Sequence, residues 1–180
     1  GAQLNTSSAT SLNLAADEGA VGAVSFYASF IGQNNSTWNA NMSPDIVAFL
    51  EGRLAQYVGP AWRLNQILQY NSTYNVGLNI GVVPMPQLSS TDSAVHWATY
   101  WGQAVSKDSQ NADVAWDFIK FLTEPDQLRL LDTTVKQNGA QVGLVYPRKS
   151  MASEAAADPL LAPYVRSMPD AQNWDMINRK

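Results

Sequence analysis

The stretch Glu51-Gly52-Arg53-Leu54-Ala55-Gln56-Tyr57-Val58-Gly59-Pro60-Ala61-Trp62 restricts the possible folds more than any other part of the chain. Within it a helix end, a glycine turn, a short strand over Leu54–Val58 and a Gly-Pro break follow one another. Glycine accepts the positive φ of a tight turn, and proline enters the first turn of a helix with its φ already set and no amide to lose. The expected product is a strand-to-helix corner that presents the Trp62 indole at a helix start. Such corners commonly carry ligands in α/β proteins, because helix N-terminal amides and strand ends converge on one crevice. Trp62 has two readings: a ring facing a ligand, or a ring filling the core beneath the turn.

The flanking pattern alternates helical and extended signals. Residues 1–16 are small and polar, a flexible N-terminal segment. From Asp17 to Ile31 the spacing predicts a helix, with Val21, Val24, Ala28 and Ile31 on one stripe widened by Phe26, Tyr27 and Phe30. Such a stripe needs a substantial partner. The polar stretch Gly32–Asn41 carries Trp38, either a lid over the core or a ligand-facing ring. Ser43-Pro44 starts a second helix with Ile46, Val47, Phe49 and Leu50 inward. A third helix follows the corner, using Leu64, Ile67 and Leu68. Val76, Leu78, Ile80 and Val82 alternate with Gly77, Asn79 and Gly81, a period-two pattern that predicts a strand, and Pro84-Met85-Pro86 stops it.

The second half opens on Val95–Ser106, an aromatic strand or extended crossing segment. Trp97 and Trp101 would share one face of a strand as core or as a stacking platform, and Gly102 would let the backbone approach a neighbour or ligand. Asn111 caps a predicted helix to Leu122 with Val114, Phe118, Phe121 and Leu122 inward. Thr123 and Asp126 have the spacing of a capping box, Pro125 fits a first turn, and Asn138-Gly139 closes the resulting helix. Val142–Tyr146 is a short apolar strand or extended piece. It leads to Pro147-Arg148-Lys149-Ser150, where Arg148 is either solvated or a fork for a sugar hydroxyl or carboxylate. Ala152–Ala157 and Pro159–Val165 read as short helices. Asn35-Ser36-Thr37 and Asn71-Ser72-Thr73 match the glycosylation sequon, which is short enough to recur by chance.

Composition removes several chemistries. The chain has 180 residues, no cysteine and one histidine, His96, so neither a thiolate nor a multi-histidine metal site is available. A net charge of −4 with 14% charged residues gives no basic surface for nucleic acid. Six tryptophans and seven tyrosines supply flat faces suited to sugars. No apolar run approaches the roughly 20 residues that span a bilayer. No Gly-x-Ser-x-Gly elbow, Walker loop or Gly-x-Gly-x-x-Gly turn is present. Paired carboxylates from distant loops would still allow a carbohydrate-active hydrolase, and buried tryptophans would suit a protein-interaction domain.

Five further pieces occur in a recognisable order: Phe49–Ala55 with Val58–Trp62, Ile80–Pro86, Trp101–Lys107, Ala115–Thr123 and Pro147-Arg148. Together they resemble family 1 of the extracellular solute-binding proteins, which serve carbohydrate ABC importers. The resemblance implies a type II periplasmic-binding-protein-like α/β clamshell that closes over a sugar or oligosaccharide, uses no cofactor and performs no chemistry. Its site residues would be Trp62, Trp97, Tyr100, Trp101, Gly102, Trp38 and Arg148. Its partners would be the ligand and an ABC transporter permease, and its location periplasmic or extracellular, with lipid anchoring of a full-length parent. Members of that family are longer, and the match begins inside their second lobe. The chain is therefore expected to be a C-terminal half that needs its missing N-terminal half or a complementary chain. Residues 17–94 and 147–180 would belong to the C-terminal lobe, and 95–146 to the hinge crossing and part of the N-terminal lobe.

Overall fold

Where proline, asparagine and glycine punctuate the sequence, helices start and stop close to the expected places. The computed structural model describes residues 17–31, 39–87 and 94–173. They divide into two units, one ending at Pro44 and the other spanning Asp45–Asn173. In the first, α1 runs over Glu18–Ser29, and the Asp17 carboxylate caps it by accepting from the Ala20 amide at 2.8 Å. Ala20 is the buried residue of α1, while Val21, Val24, Phe26, Tyr27, Phe30 and Ile31 are exposed. The Phe26 and Phe30 rings meet edge to face at 5.1 Å.

The second unit contains α2 (Asp45–Leu50), α3 (Ala61–Thr73), β1 (His96–Trp97), α4 (Ala112–Leu122), α5 (Pro125–Gln137), α6 (Ala152–Ala155), α7 (Ala162–Ser167) and β2 (Ala171–Gln172). Short 3-10 turns over Lys149–Met151 and Met168–Asp170 lead into α6 and β2. Pro125 opens α5, and Gly139 takes a φ of +98° after the Asn138 cap, as the punctuation requires. The expected capping box is not formed. Glu124 holds the N-cap position without a side-chain bond, and Thr123 Oγ1 instead donates to the Lys120 carbonyl at 2.9 Å. Asn111 sits at the N-cap of α4 but makes no side-chain cap either.

Among the described residues the chain is helix-rich and forms less sheet than the α/β expectation called for. Among the described residues the only ladder is the parallel pair β1–β2, with His96 opposite Ala171 and Trp97 opposite Gln172. Leu54–Val58, Val76–Val82 and most of 95–106 are irregular chain outside any sheet. A strand needs a neighbour for its amides and carbonyls, and the alternation of side chains cannot supply one. Side chains substitute in part. The Asn71 amide group pairs with Leu78 as a strand would, donating to its carbonyl at 2.9 Å and accepting from its amide at 2.8 Å.

The core of this unit gathers around the extended piece 142–146. Val142 joins Leu64 and Leu161, with Ile80, Val82, Val145 and Tyr164 packed against them. Tyr146 joins Leu128, Met151 and Ala155, with Leu144 and Val165 alongside. Two polar clamps hold this piece. The Asn65 carbonyl oxygen accepts from the Gln141 and Val142 amides at 2.9 and 3.0 Å, and its nitrogen donates to the Val142 carbonyl at 3.0 Å. The buried Asp132 accepts from the Leu144 amide at 2.6 Å and from Lys136 Nζ at 2.8 Å. A Cβ on Gly143 would overlap Asp132 Oδ1, so glycine is what lets the carboxylate reach the backbone.

Candidate functional site

The corner predicted around Trp62 forms, although its strand does not. Gly52 turns with a φ of +71°, Pro60 occupies the N-cap of α3 with a φ of −73°, and Trp62 lies in the opening turn. Tyr57 lies against the backbone of Gly59, where any Cβ would strike its ring, and its ring meets that of Phe49 at 5.7 Å between centroids. The chain is thereby held as it enters α3, and the Trp62 side chain points outward at 58% exposure. The ring is not core.

Trp97, the last residue of β1, and Tyr100 and Trp101 in the chain that follows have exposures of 63%, 74% and 99%. The platform expected from one strand is not built, because the strand ends at Trp97. Tyr100 is tethered instead, its hydroxyl accepting from Asn173 Nδ2 at 2.9 Å. The Ala98 amide donates to the Gln172 carbonyl at 2.8 Å and extends the β1–β2 contact by one residue. Gly102 is exposed, and a Cβ there would meet nothing within 4 Å, so no close approach explains this glycine. Arg148 is exposed and its Nε donates to the Thr123 carbonyl, tying its loop to the α4–α5 junction. Trp38 lies outside the described residues. Among the described residues, no hydrogen bond or ring contact joins Trp62 to Tyr100, Trp101 or Arg148.

Two features here escape sequence reading. Arg63 places its guanidinium over the Trp62 ring, with Cζ 4.5 Å from the centroid. Consecutive helix residues do not usually face each other, and only the length of the arginine stem allows this return. The second is the apolar face of α4. Val114, Phe118, Phe121 and Leu122, expected inward, are 70%, 58%, 46% and 41% exposed. A shallow depression of about 310 Å³ separates this helix from the preceding chain and is lined by Gln103, Val105, Ala115, Phe118, Ile119 and Leu122. None of the candidate aromatic residues lines it.

The acids are largely committed to structural partners. Arg129 donates to both oxygens of Glu154 at 2.9 and 2.7 Å and to Asp126 at 2.8 Å. This hydrogen bonding and charge hold the Glu154 carboxyl below its ordinary range and push Arg129 above its own. Lys120 pairs with Asp117 at 3.0 Å, and Lys136 with Asp132 at 2.8 Å, which raises the Lys136 ammonium. Burial raises the Tyr146 and Tyr164 phenols. Among the described residues no three His, Cys, Asp or Glu side chains gather as a metal site would require. Nor is any helix among them long and apolar enough to cross a membrane.

The exposed rings of Trp62, Trp97 and Trp101 offer flat faces to a partly apolar solute. Comparison with protein families agrees: a family model described as bacterial extracellular solute-binding protein matches residues 3–163, and the chain belongs to that family. Membership supports a solute-binding role for an ABC importer, a location in the periplasm or outside the cell, and a periplasmic-binding-protein-like fold family. Proteins of this family are generally not enzymes.

Proposed function

We propose that the chain binds a sugar or oligosaccharide on its exposed aromatic residues and passes it unaltered to an ABC importer. The observation that carries this reading is the outward position of Trp62, Trp97 and Trp101 in a solute-binding family member, where burial would have excluded ligand contact. Indole faces take the C–H face of a sugar, and Tyr100, Trp38 and Arg148 add polar groups or further surface for its hydroxyls. Gly102 keeps the ridge beside Trp101 free of a side chain.

The finer part of the reading is a type II clamshell of which this chain supplies one half. Residues 17–94 and 147–180 contribute to the C-terminal lobe, and 95–146 to the hinge crossing and part of the N-terminal lobe. The bare apolar face of α4 supports a complementary half, because soluble proteins rarely leave such a face uncovered. The same face equally suits a protein-interaction role, which is the reading to be separated from sugar transport.

Titration of the chain with mono- and oligosaccharides, followed by indole fluorescence and calorimetry, tests the proposal. A saturable signal without turnover is expected, weakened roughly tenfold by Trp62→Ala, as for an aromatic anchor. Silence toward every saccharide once the complementary half is supplied, or release of product from a chromogenic glycoside, would overturn it. Co-purification with a second polypeptide that quenches hydrophobic-dye binding tests the complementary half.

A further inference from the structure

The Trp62–Arg63 pair does more than present an indole. We propose that Arg63 is a positioning and specificity-determining residue, locking one face of Trp62 and leaving the other as a single stacking surface disfavouring cationic sugars. This rests on Trp62 being part of the sugar site.

The guanidinium stands 4.5 Å above the ring centroid, a separation at which a cation and an indole face attract. The arginine is itself anchored, Nη1 donating to Gln66 Oε1 one turn further along α3 at 2.9 Å. Its Nε is buried and has no hydrogen-bond partner among the described residues. Stranding that donor is costly unless a compensating contact holds the group, and the indole face beneath it is the compensating surface. Gln66, Arg63 and Trp62 therefore form a stack built from one helix. It fixes the ring before any ligand arrives, lowering the ordering cost of binding.

Two consequences follow for the ligand. A sugar can reach one face of Trp62, so this residue acts as an end platform and not as half of a sandwich. Among the described residues Arg63 also forms no ion pair with a carboxylate: Glu51 is matched with Arg53, Asp117 with Lys120, Asp126 and Glu154 with Arg129, and Asp132 with Lys136. A ligand on the open face lies roughly two stacking distances from the Arg63 charge, the 4.5 Å to the ring centroid being the first of them. Coulomb repulsion at such a range still separates an ammonium sugar from its neutral counterpart.

The test combines ligand-free and ligand-bound measurements on the 180-residue chain. Biosynthetic 5-fluorotryptophan gives each indole its own fluorine resonance, and Trp62→Phe assigns the relevant line. Arg63→Ala should shift and broaden that line while leaving the other five, and Arg63→Lys should restore much of it. Saccharide affinity should fall about two- to fivefold in Arg63→Ala, the equivalent of an exposed cation–π contact. Glucosamine should bind more weakly than N-acetylglucosamine to the unaltered chain, and the gap should narrow in Arg63→Ala and at high salt. An unchanged Trp62 line, or a freed indole with undiminished affinity, would overturn the positioning role. An equal affinity for the two amino-sugar probes would overturn the specificity role. If no saccharide binds the unaltered chain once its complementary half is supplied, the sugar reading fails and the ligand-related part of this proposal falls with it.

Discussion

The piece Val142–Tyr146 and the chain from Val95 to Leu122 both carry many apolar side chains and meet opposite fates. The first is sealed between two clusters, clamped at one end by Asn65 and near its middle by Asp132. The second shows Trp97, Tyr100, Trp101, Val114 and Phe118 to solvent, and its longest described reach to another segment is the two-residue ladder with β2 and the Tyr100–Asn173 bond. Apolar side chains alone therefore do not fix burial in this chain. What separates the regions is whether polar side chains from neighbouring helices meet the backbone of the extended segment and hold it in place.

The comparison can be broken most severely at Met151, which is 1% exposed in the cluster around Tyr146. Met151→Ala should cost about 2–5 kcal/mol of stability, read as a shift in the urea midpoint. Next in size is the Asp132 clamp. Asp132→Ala strands the Leu144 amide and should cost about 1–3 kcal/mol, with faster exchange of that amide by NMR. Gly143→Ala should cost a similar amount, roughly 1–3 kcal/mol, by overpacking. Because its added methyl strikes the very carboxylate that Asp132→Ala removes, the double variant should lose less than the sum of the two.

On the open side the expectation reverses. Phe118→Ser with Phe121→Ser should alter the stability of the chain by within about 0.5 kcal/mol, as surface changes do, while reducing hydrophobic-dye binding and self-association in sedimentation. A loss as large as that at Met151 would mean that the α4 face is covered in solution.

Alkaline titration offers a finer probe of the clamped side. The Lys136 ammonium is favoured by its bond to Asp132, so its contribution is complete below its ordinary 10.5 and disappears as pH rises through the raised value. Tyr146 acts in the same direction, since burial favours its neutral phenol below the ordinary 10.0 and ionisation at higher pH opposes folding. Thermal midpoints should therefore decline above that range, and Asp132→Asn should remove the lysine part. Glu154→Gln is the smallest effect, a marginal shift of the thermal midpoint, because so exposed a pair is screened by solvent. The Glu154 contribution is present above its ordinary 4.5 and fades as pH falls through the lowered value.

Much of the helical layout was legible because its signals are local. Pro125, Asn138-Gly139 and the Gly-Pro pair before Trp62 each act on their own turn, and α3, α4 and α5 lie close to where these residues predict. The strands were misread because pairing is a property of two segments. Val76–Val82 has the alternation of a strand, yet no neighbouring strand meets it among the described residues, and the Asn71 side chain supplies the pairing at Leu78. The inward face assigned to α4 failed for the same reason: periodicity shows that a helix has an apolar stripe, not what lies against it. At the site, the corner before Trp62 was legible but left its ring open between a core and an outward position, and the Arg63 stack depends on a rotamer that sequence spacing does not encode.

The doubly bonded Asn71 amide has a practical side. Its nitrogen is the atom to which an oligosaccharyltransferase would attach a glycan at Asn71-Ser72-Thr73, and all three residues are wound into the last turn of α3. Once folded, the chain hides this acceptor by using it as mortar. In a glycosylating secretory host, modification there must precede folding and would leave Leu78 unfastened, so a host without that machinery is the sounder source of material.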